Sequence, residues 1–458
     1  MIPSEIRFAK SGSIHVAYQT IGNGPVDLVL GTSGISHLEV MWEHPAVARV
    51  FRSLAEFSRL VLFDKRGIGL SDRNVGIPTL EERMDDIRAV LAAIRSQKVV
   101  LVGTMDGAPL SLVYAASYPQ KVQALILWEG RARSLWAKDY PWAKTREEWE
   151  HEIQQDEDEW GTDAHLERVI ATWAPSRVGD SEFKRWLSRR IRFGASPAEG
   201  SALARMNMQI DVRSALSALH VPTLVLYSAA RDTASMEDAK FLAANIPGAQ
   251  LKALHCPDHL YWATPEGLTQ WVDAVRQFVE GTESRPEEDR VLTTVLFTDI
   301  VDSTKRASAL GDRRWGELID RQFEFARREV ALNRGTLVKT MGDGLLATFD
   351  GPTRAIRCAL ALKKRMESDG LSLRAGLHTG ECVVKSGDVH GIAVNIASRI
   401  AASAGAGEVL LSGTVRDLSF GCDVPFQSLG ERSLRGVEGA WRIYSAGEAP
   451  PTATTPGS

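Results

Sequence analysis

Between Gly281 and Arg290 the chain reads Gly-Thr-Glu-Ser-Arg-Pro-Glu-Glu-Asp-Arg, a short acidic stretch that divides two segments with different apolar patterning. One core cannot serve both patterns, and 458 residues is long for a single core in any case. The reading is therefore one domain over 1–280, a linker over 281–290 and a second domain over 291–448. The Pro-, Thr- and Gly-containing tail 449–458 reads as disordered.

Before the linker, short continuous apolar runs recur at Val26–Leu30, Leu60–Phe63, Val99–Val102, Ala124–Trp128 and Thr223–Tyr227. Runs of this kind suit strands buried on both faces of a parallel sheet. Helical patterns such as Leu80–Arg95 and Pro109–Tyr118 lie between them, which predicts a doubly wound, mostly parallel sheet. Residues 131–213 interrupt the alternation with charged helical sequence containing Trp136, Trp142, Trp149, Trp160, Trp173 and Trp186. This insert reads as a helical cap over the strand ends, where open α/β sheets bind ligands.

After the linker an apolar strand, Val291–Phe297, meets Asp302-Ser303-Thr304, which reads as a helix cap. A helix near Arg313–Asn333 follows, then two strands, Thr336–Thr340 and Leu345–Phe349, around Met341-Gly-Asp-Gly344. A helix at Pro352–Ser368, strands at Leu371–His378 and Glu381–Lys385, and a helix at Gly391–Ala402 complete an α+β pattern.

A formal net charge of −4 gives no electrostatic case for nucleic acid or an anionic membrane. No apolar run reaches the roughly 18 residues of a membrane span, and the N-terminus has no secretory apolar region. Cys256, Cys358, Cys382 and Cys422 are scattered, as expected of reduced thiols in a cytoplasmic protein.

The second domain carries an ordered set of polar residues. Asp299 follows the first strand and Asp343 sits at a hairpin tip, so folding the hairpin beside the strand brings both carboxylates to one edge. Such a pair can hold two Mg²⁺ or Mn²⁺ ions about 3.5–4 Å apart. Backbone N–H groups in the stretch Ile300 to Thr304, including Ser303, are placed to cradle phosphate oxygens at a helix N-terminus.

Phe-Thr-Asp-Ile (297–300), Lys-Thr-Met-Gly-Asp (339–343), Asp388 and Asn-Ile-Ala-Ser-Arg (395–399) together resemble the class III nucleotidyl cyclases, over roughly residues 290–446. The resemblance implies that Asp299 and Asp343 hold the two metals and that Lys339 and Asp388 contact the base. It implies further that Asn395 orients the ribose, that Arg399 stabilises charge on the transferring phosphate, and that Arg435 meets the terminal phosphates. A lysine donor and an aspartate acceptor complement N1 and N6 of adenine and mismatch guanine, which selects ATP over GTP. The family builds its sites between two such domains. One domain carrying both sets implies a homodimer with two equivalent sites. Only Ser386 and Gly387 separate the strand at 381–385 from Asp388, a shorter arm than many members have.

The first domain resembles the α/β-hydrolases, in Phe63-Asp-Lys-Arg-Gly-Ile-Gly-Leu-Ser-Asp72 and in Gly103-Thr-Met-Asp-Gly107. The second stretch matches the Gly-x-Ser-x-Gly nucleophile elbow with Met105 in place of the nucleophile. Asp232 and His259 match the acid and base positions. A thioether is no acyl nucleophile, and losing a triad nucleophile costs roughly 10⁶ in kcat. The expectation is an α/β-hydrolase-fold domain without hydrolase activity, sensing a small apolar ligand and regulating an adenylate cyclase. The alternatives are a purely structural dimerisation module, a hydrolase with a non-serine nucleophile, and a guanylate cyclase.

Overall fold

The computed structural model describes residues 5–31, 34–73, 75–230, 233–282, 290–385 and 387–447. The chain divides into two compact units, Met1–Glu288 and Asp289–Ser458. The linker expected at 281–290 and the tail at 449–458 lie almost wholly outside the described residues.

The first unit is built on eight strands: Arg7–Ser11 (β1), Ile14–Ile21 (β2), Asp27–Gly31 (β3), Arg59–Phe63 (β4), Val99–Thr104 (β5), Val122–Trp128 (β6), Thr223–Ser228 (β7) and Gln250–Leu254 (β8). They lie in the order β1-β2-β4-β3-β5-β6-β7-β8. β1, β2 and β4 pair antiparallel, and the remaining neighbours pair parallel. The five apolar runs all became strands of this sheet. The β1–β2 hairpin and β8 had no apolar-run signal: four of the five β8 residues are exposed, as befits an edge strand.

Helices cover both faces. The helix Leu80–Ala93 begins in a capping box in which the Thr79 side chain takes the Glu82 N–H and the Glu82 carboxylate takes the Thr79 N–H. Leu28, Leu60, Val100 and Ala124 from the strands pack with Leu54, Leu268 and Trp271 from the helices. Between β6 and β7 the helices Arg146–Asp158, Asp163–Trp173, Ser181–Gly194 and Pro197–Met208 form the cap.

The second unit contains Arg290–Ile300 (β9), Thr336–Met341 (β10), Gly344–Phe349 (β11), Leu373–Lys385 (β12), Asp388–His390 (β13), Val409–Ser412 (β14), Phe426–Ser433 (β15) and Ala440–Ala446 (β16). The order is β10-β11-β9-β12-β14-β16-β15, with β13 on β12. The helix Pro352–Ser368 buries Ile356, Ala359 and Leu362 against Leu296, Ala375 and Leu411. The helix Ile392–Ser403 buries Ala393 and Ala397 with Val295, Leu346 and Cys382.

Two sequence expectations fail here. Leu371–His378 and Glu381–Lys385 are one strand, β12, because β9 pairs it without a break from Leu373↔Ile300 to Val383↔Arg290, through Gly380↔Thr293. A glycine weakens a strand, but a long partner holds it extended. Asp302 occupies the cap position of the helix Ser303–Leu310, yet it adopts a left-handed conformation (φ 57°) and makes no capping bond. Its carboxylate meets Lys305 at 2.9 Å instead. Cys256, Cys358, Cys382 and Cys422 are thiols outside any disulfide. No helix among the described residues is long and apolar enough to cross a membrane.

Candidate active site

β9 ends beside the β10–β11 hairpin. Leu345 pairs with Thr298, and a Cβ on Gly344 would stand 2.3 Å from the Thr298 carbonyl oxygen and 3.5 Å from the Asp299 Cα. Only glycine permits that approach, and it sets Asp343, the preceding residue, alongside Asp299. Asp343 Oδ2 is buried and has no hydrogen-bond partner. A buried carboxylate oxygen left unpaired is costly unless something positive meets it. Asp299 is paired across the sheet with Arg374, whose Nε lies 3.0 Å from Oδ2 and whose terminal nitrogen lies closer. Sequence reasoning missed Arg374. Its signal was the position opposite Asp299, which only the β9–β12 register reveals.

Lys339 on β10 and Asp388 on β13 meet through Nζ at 2.9 and 3.0 Å from the two carboxylate oxygens. The hydrogen bond from Lys339, helped by the Val389 N–H, holds the Asp388 carboxyl below its ordinary range. Both groups are part-exposed, so the pair adds little to stability. Asn395 and Arg399 lie one turn apart on the exposed face of the helix Ile392–Ser403, whose other face buries Ile396, Ala397 and Ile400. Arg435 is exposed in the turn between β15 and β16. Ile300 is buried and paired with Leu373, while Ser303 and Thr304 open the following helix. The Val301 N–H is taken by the Ser372 carbonyl at 2.8 Å, so the phosphate-cradling N–H groups reduce to those around the helix start. The chain thus gathers Asp299, Asp343 and Arg374 at one strand end, and Lys339 with Asp388 between two hairpins.

In the first unit, β5 leads through a tight turn, Met105–Gly107, into the helix Ala108–Ser117. Met105 has φ 48°, the strained geometry of a strand-to-helix elbow. A Cβ on Gly103 would stand 2.8 Å from both Ala108 Cα and Ser111 Oγ, so glycine is required for the helix to pack this closely. Met105 and His259 line the same small cavity of about 40 Å³. Thr104 lines this cavity as well and Asp106 lines the larger one beneath the cap, but the polar atoms of both are engaged. The Thr104 hydroxyl donates to the Gly31 carbonyl at 2.9 Å, and Asp106 takes the Gly34 N–H at 2.7 Å. His259 Nδ1 pairs with the buried carboxylate of Glu129, directly after β6. Glu129 also has positive φ, at 46°, and sequence reasoning did not single it out. Asp232 lies outside the described residues.

A second cavity, of about 260 Å³, lies between Met105 and the cap. Trp149, Trp160 and Trp173 face it, whereas Trp136 is exposed and Trp186 packs into the cap core and donates to the Val40 carbonyl.

Residues 286–446 match the family described as adenylate and guanylate cyclase catalytic domain, and residues 31–169 match the alpha/beta hydrolase fold. An adenylate cyclase of Streptomyces griseus is 33% identical over 146 residues, which is 31% of this chain and 36% of that protein. A pH-sensitive adenylate cyclase of Mycobacterium tuberculosis is 31% identical over 159 residues, 33% of this chain and 39% of the relative. The chain therefore spans less than half the length of these relatives. A thermophilic esterase from Thermogutta terrifontis superposes with a TM-score of 0.50 at 23% identity, covering 61% of this chain and 100% of that one. A hydrolase from Pseudomonas aeruginosa PA01 gives 0.50 at 22% identity, covering 60% and 98%. The chain thus joins a stretch that matches the alpha/beta hydrolase fold to one that matches the adenylate and guanylate cyclase catalytic domain.

Proposed function

We propose that the chain is an adenylate cyclase that converts ATP to 3′,5′-cyclic AMP and pyrophosphate as a homodimer, under control of a hydrolase-fold domain that has lost its nucleophile. The observation that carries the reading is the Asp299–Asp343 pair, with Asp343 Oδ2 buried and unpartnered. That donor set fits divalent metal, two hard oxygen donors for Mg²⁺ or Mn²⁺. Metal held there would lower the pKa of the ribose 3′-hydroxyl and offset the charge of the triphosphate.

The chain's own residues supply the rest. Lys339 donates to adenine N1 and Asp388 accepts from N6. Guanine presents the opposite polarity at both places and leaves the pair unsatisfied. Arg374 sits where Asp299 would release it once a metal neutralises that carboxylate, free to meet the triphosphate. Asn395 orients the ribose, and Arg399 lies on the same helix face to stabilise charge on the α-phosphate. Arg435 would meet the outer phosphates.

Asn395, Arg399 and Arg435 are exposed, and the large apolar residues Met341, Val384 and Ile392 near the site residues in sequence are exposed as well. A second copy covering them would complete two equivalent sites, each taking Asp299 and Asp343 from one chain and Lys339, Asp388, Asn395 and Arg399 from the other.

The test is cyclic AMP production by the full-length chain with ATP and Mn²⁺, beside Asp343→Asn. The variant is expected to lose at least about 100-fold in rate while melting no lower than the wild type, because the oxygen it alters makes no hydrogen bond. An Asp343→Asn enzyme as active as the wild type would end the two-metal reading.

A further inference from the structure

From the charges beneath the cap we infer that the cavity above Met105 takes an apolar carboxylic acid, whose anionic head lies toward Arg131 and Arg190 and whose hydrocarbon body lies against Trp149, Trp160 and Trp173. This deepens the ligand-sensing part of the proposed function and rests on it.

The walls explain the apolar body. Three indole faces together with Phe183, Leu187 and Ile191 line the cavity. A void of about 260 Å³ with such walls suits a medium-length hydrocarbon chain or an aromatic acid.

The floor explains the charge. Arg190 lines the cavity beside Asp106, while Lys65 and Arg83, which line a separate small cavity, act electrostatically on the same carboxylate. Lys65 and Arg83 are buried. The oxygens of Asp106 are already occupied. Oδ1 takes the Gly34 N–H at 2.7 Å; Oδ2 takes Lys65 Nζ and Asn207 Nδ2, each at 3.2 Å. Asp86, bound to Arg66 at 2.6 Å, also acts on Arg83, and Glu82 lies 3.6 Å from Arg66, so the cations away from the cavity have carboxylates of their own. Burial drags Lys65 and Arg83 below their ordinary ranges and brings Arg190 down to about 10, the mark of positive charge held away from water.

Arg131, on the cavity wall, is a second arginine facing the same space as Arg190. It has no carboxylate partner among the described residues, and its Nε is buried without a hydrogen bond. Asp156, the other carboxylate on the wall, is engaged by Arg168 at 2.8 Å. A guanidinium nitrogen buried without a hydrogen bond beside an apolar space is unfavourable until an anion meets it. A neutral apolar ligand leaves it uncompensated, and a cationic one worsens it. A carboxylate takes a guanidinium in two parallel hydrogen bonds, and the rest of the molecule fills the apolar space.

Decanoate, decanol and decylamine share one chain and differ in charge. Their binding to the full-length protein is read by tryptophan fluorescence and by calorimetry, on the wild type, Arg131→Met and Ala204→Trp. Ala204 lines the cavity away from the cations, so tryptophan there fills the space without touching the charge. Decanoate is expected to bind at least about tenfold more tightly than decanol, a difference of about 1.4 kcal/mol, and decylamine not at all. Arg131→Met should remove that tenfold preference and leave decanol binding unchanged, and Ala204→Trp should abolish both. Equal binding of acid and alcohol to the wild type would overturn the anion assignment while leaving a ligand pocket. A preference for decanoate that survives Arg131→Met would overturn the role of Arg131. Absence of binding by all three would overturn this inference and the sensing role together, and the cyclic AMP assay with Asp343→Asn would still stand or fall separately.

Discussion

Met105 holds an elbow conformation that exists in hydrolases to present a nucleophile, with φ 48° beside an intact His259–Glu129 pair. A thioether gains nothing from that strain. The machinery downstream of the missing hydroxyl is nonetheless in place, since Met105 and His259 share one cavity. Met105→Ser is therefore expected to hydrolyse a p-nitrophenyl ester at least about 100-fold above the wild-type background, a small part of the roughly 10⁶ a triad nucleophile supplies. The gain should vanish in Met105→Ser/His259→Ala. If Met105→Ser stays at background, the dyad is a structural remnant only. At this scale the sequence revealed some residues and hid others. Met105, Lys339 and Asp343 stood in spaced motifs. Glu129 and Arg374 act through partners 130 and 75 residues away in sequence, so only strand register and side-chain contact disclose them.

Elements position the cyclase residues through close backbone approaches that glycines allow. A Cβ on Gly376 in β12 would stand 2.0 Å from the Ala401 nitrogen and 2.7 Å from the Ala397 carbonyl oxygen, so the helix Ile392–Ser403 lies directly on the strand. That helix carries Asn395 and Arg399. Gly376→Ala must push the helix outward, and a displacement near 1 Å costs about 100-fold in rate for groups that have to be aligned. The expected result is a lowered Tm, with kcat falling more than KM for ATP changes, because the base-binding pair sits on other elements. Unchanged kcat would mean that the helix does not set the position of Arg399. The helix and its polar face were legible from the four-residue spacing of Asn395 and Arg399. Its distance from the sheet was not, because a glycine in a strand reads equally as a weak point or as a packing requirement. β12 shows the same ambiguity. The sequence reads as two strands, Leu371–His378 and Glu381–Lys385, with Gly380 between them, and the long partner β9 joins them. The edge strand β8 shows the converse: an exposed strand lacks the apolar run that makes central strands visible.

Each unit has its own core and at least one histidine that burial shifts toward the neutral form, which makes acid stability a property of the whole chain that can be read twice. In the first unit His44 lies among the rings of Phe183, Trp186 and Trp262, at 5.7, 4.8 and 5.2 Å, and its Nδ1 is buried without a hydrogen bond. Burial, with help from Arg177, brings it down to about 4. In the second unit His378 meets Ser412 Oγ at 2.8 Å, and burial again brings it to about 4. Both folded values lie below the ordinary value of 6.5. Between 6.5 and 4 the unfolded chain therefore binds more protons than the folded one, and stability falls as pH falls. The contribution is complete above the unfolded value and is lost progressively through that window. Melting the full chain between about pH 7 and pH 5 should lower the transitions of both units. His44→Phe keeps a ring among rings and should reduce the pH response of the first unit alone, leaving the part that belongs to His165, which burial also lowers. His378→Gln keeps a polar partner for Ser412 and should flatten that of the second alone. A melting profile indifferent to pH over that range would mean that neither histidine is held neutral. A response in one unit only would trace the acid sensitivity of the chain to a single domain.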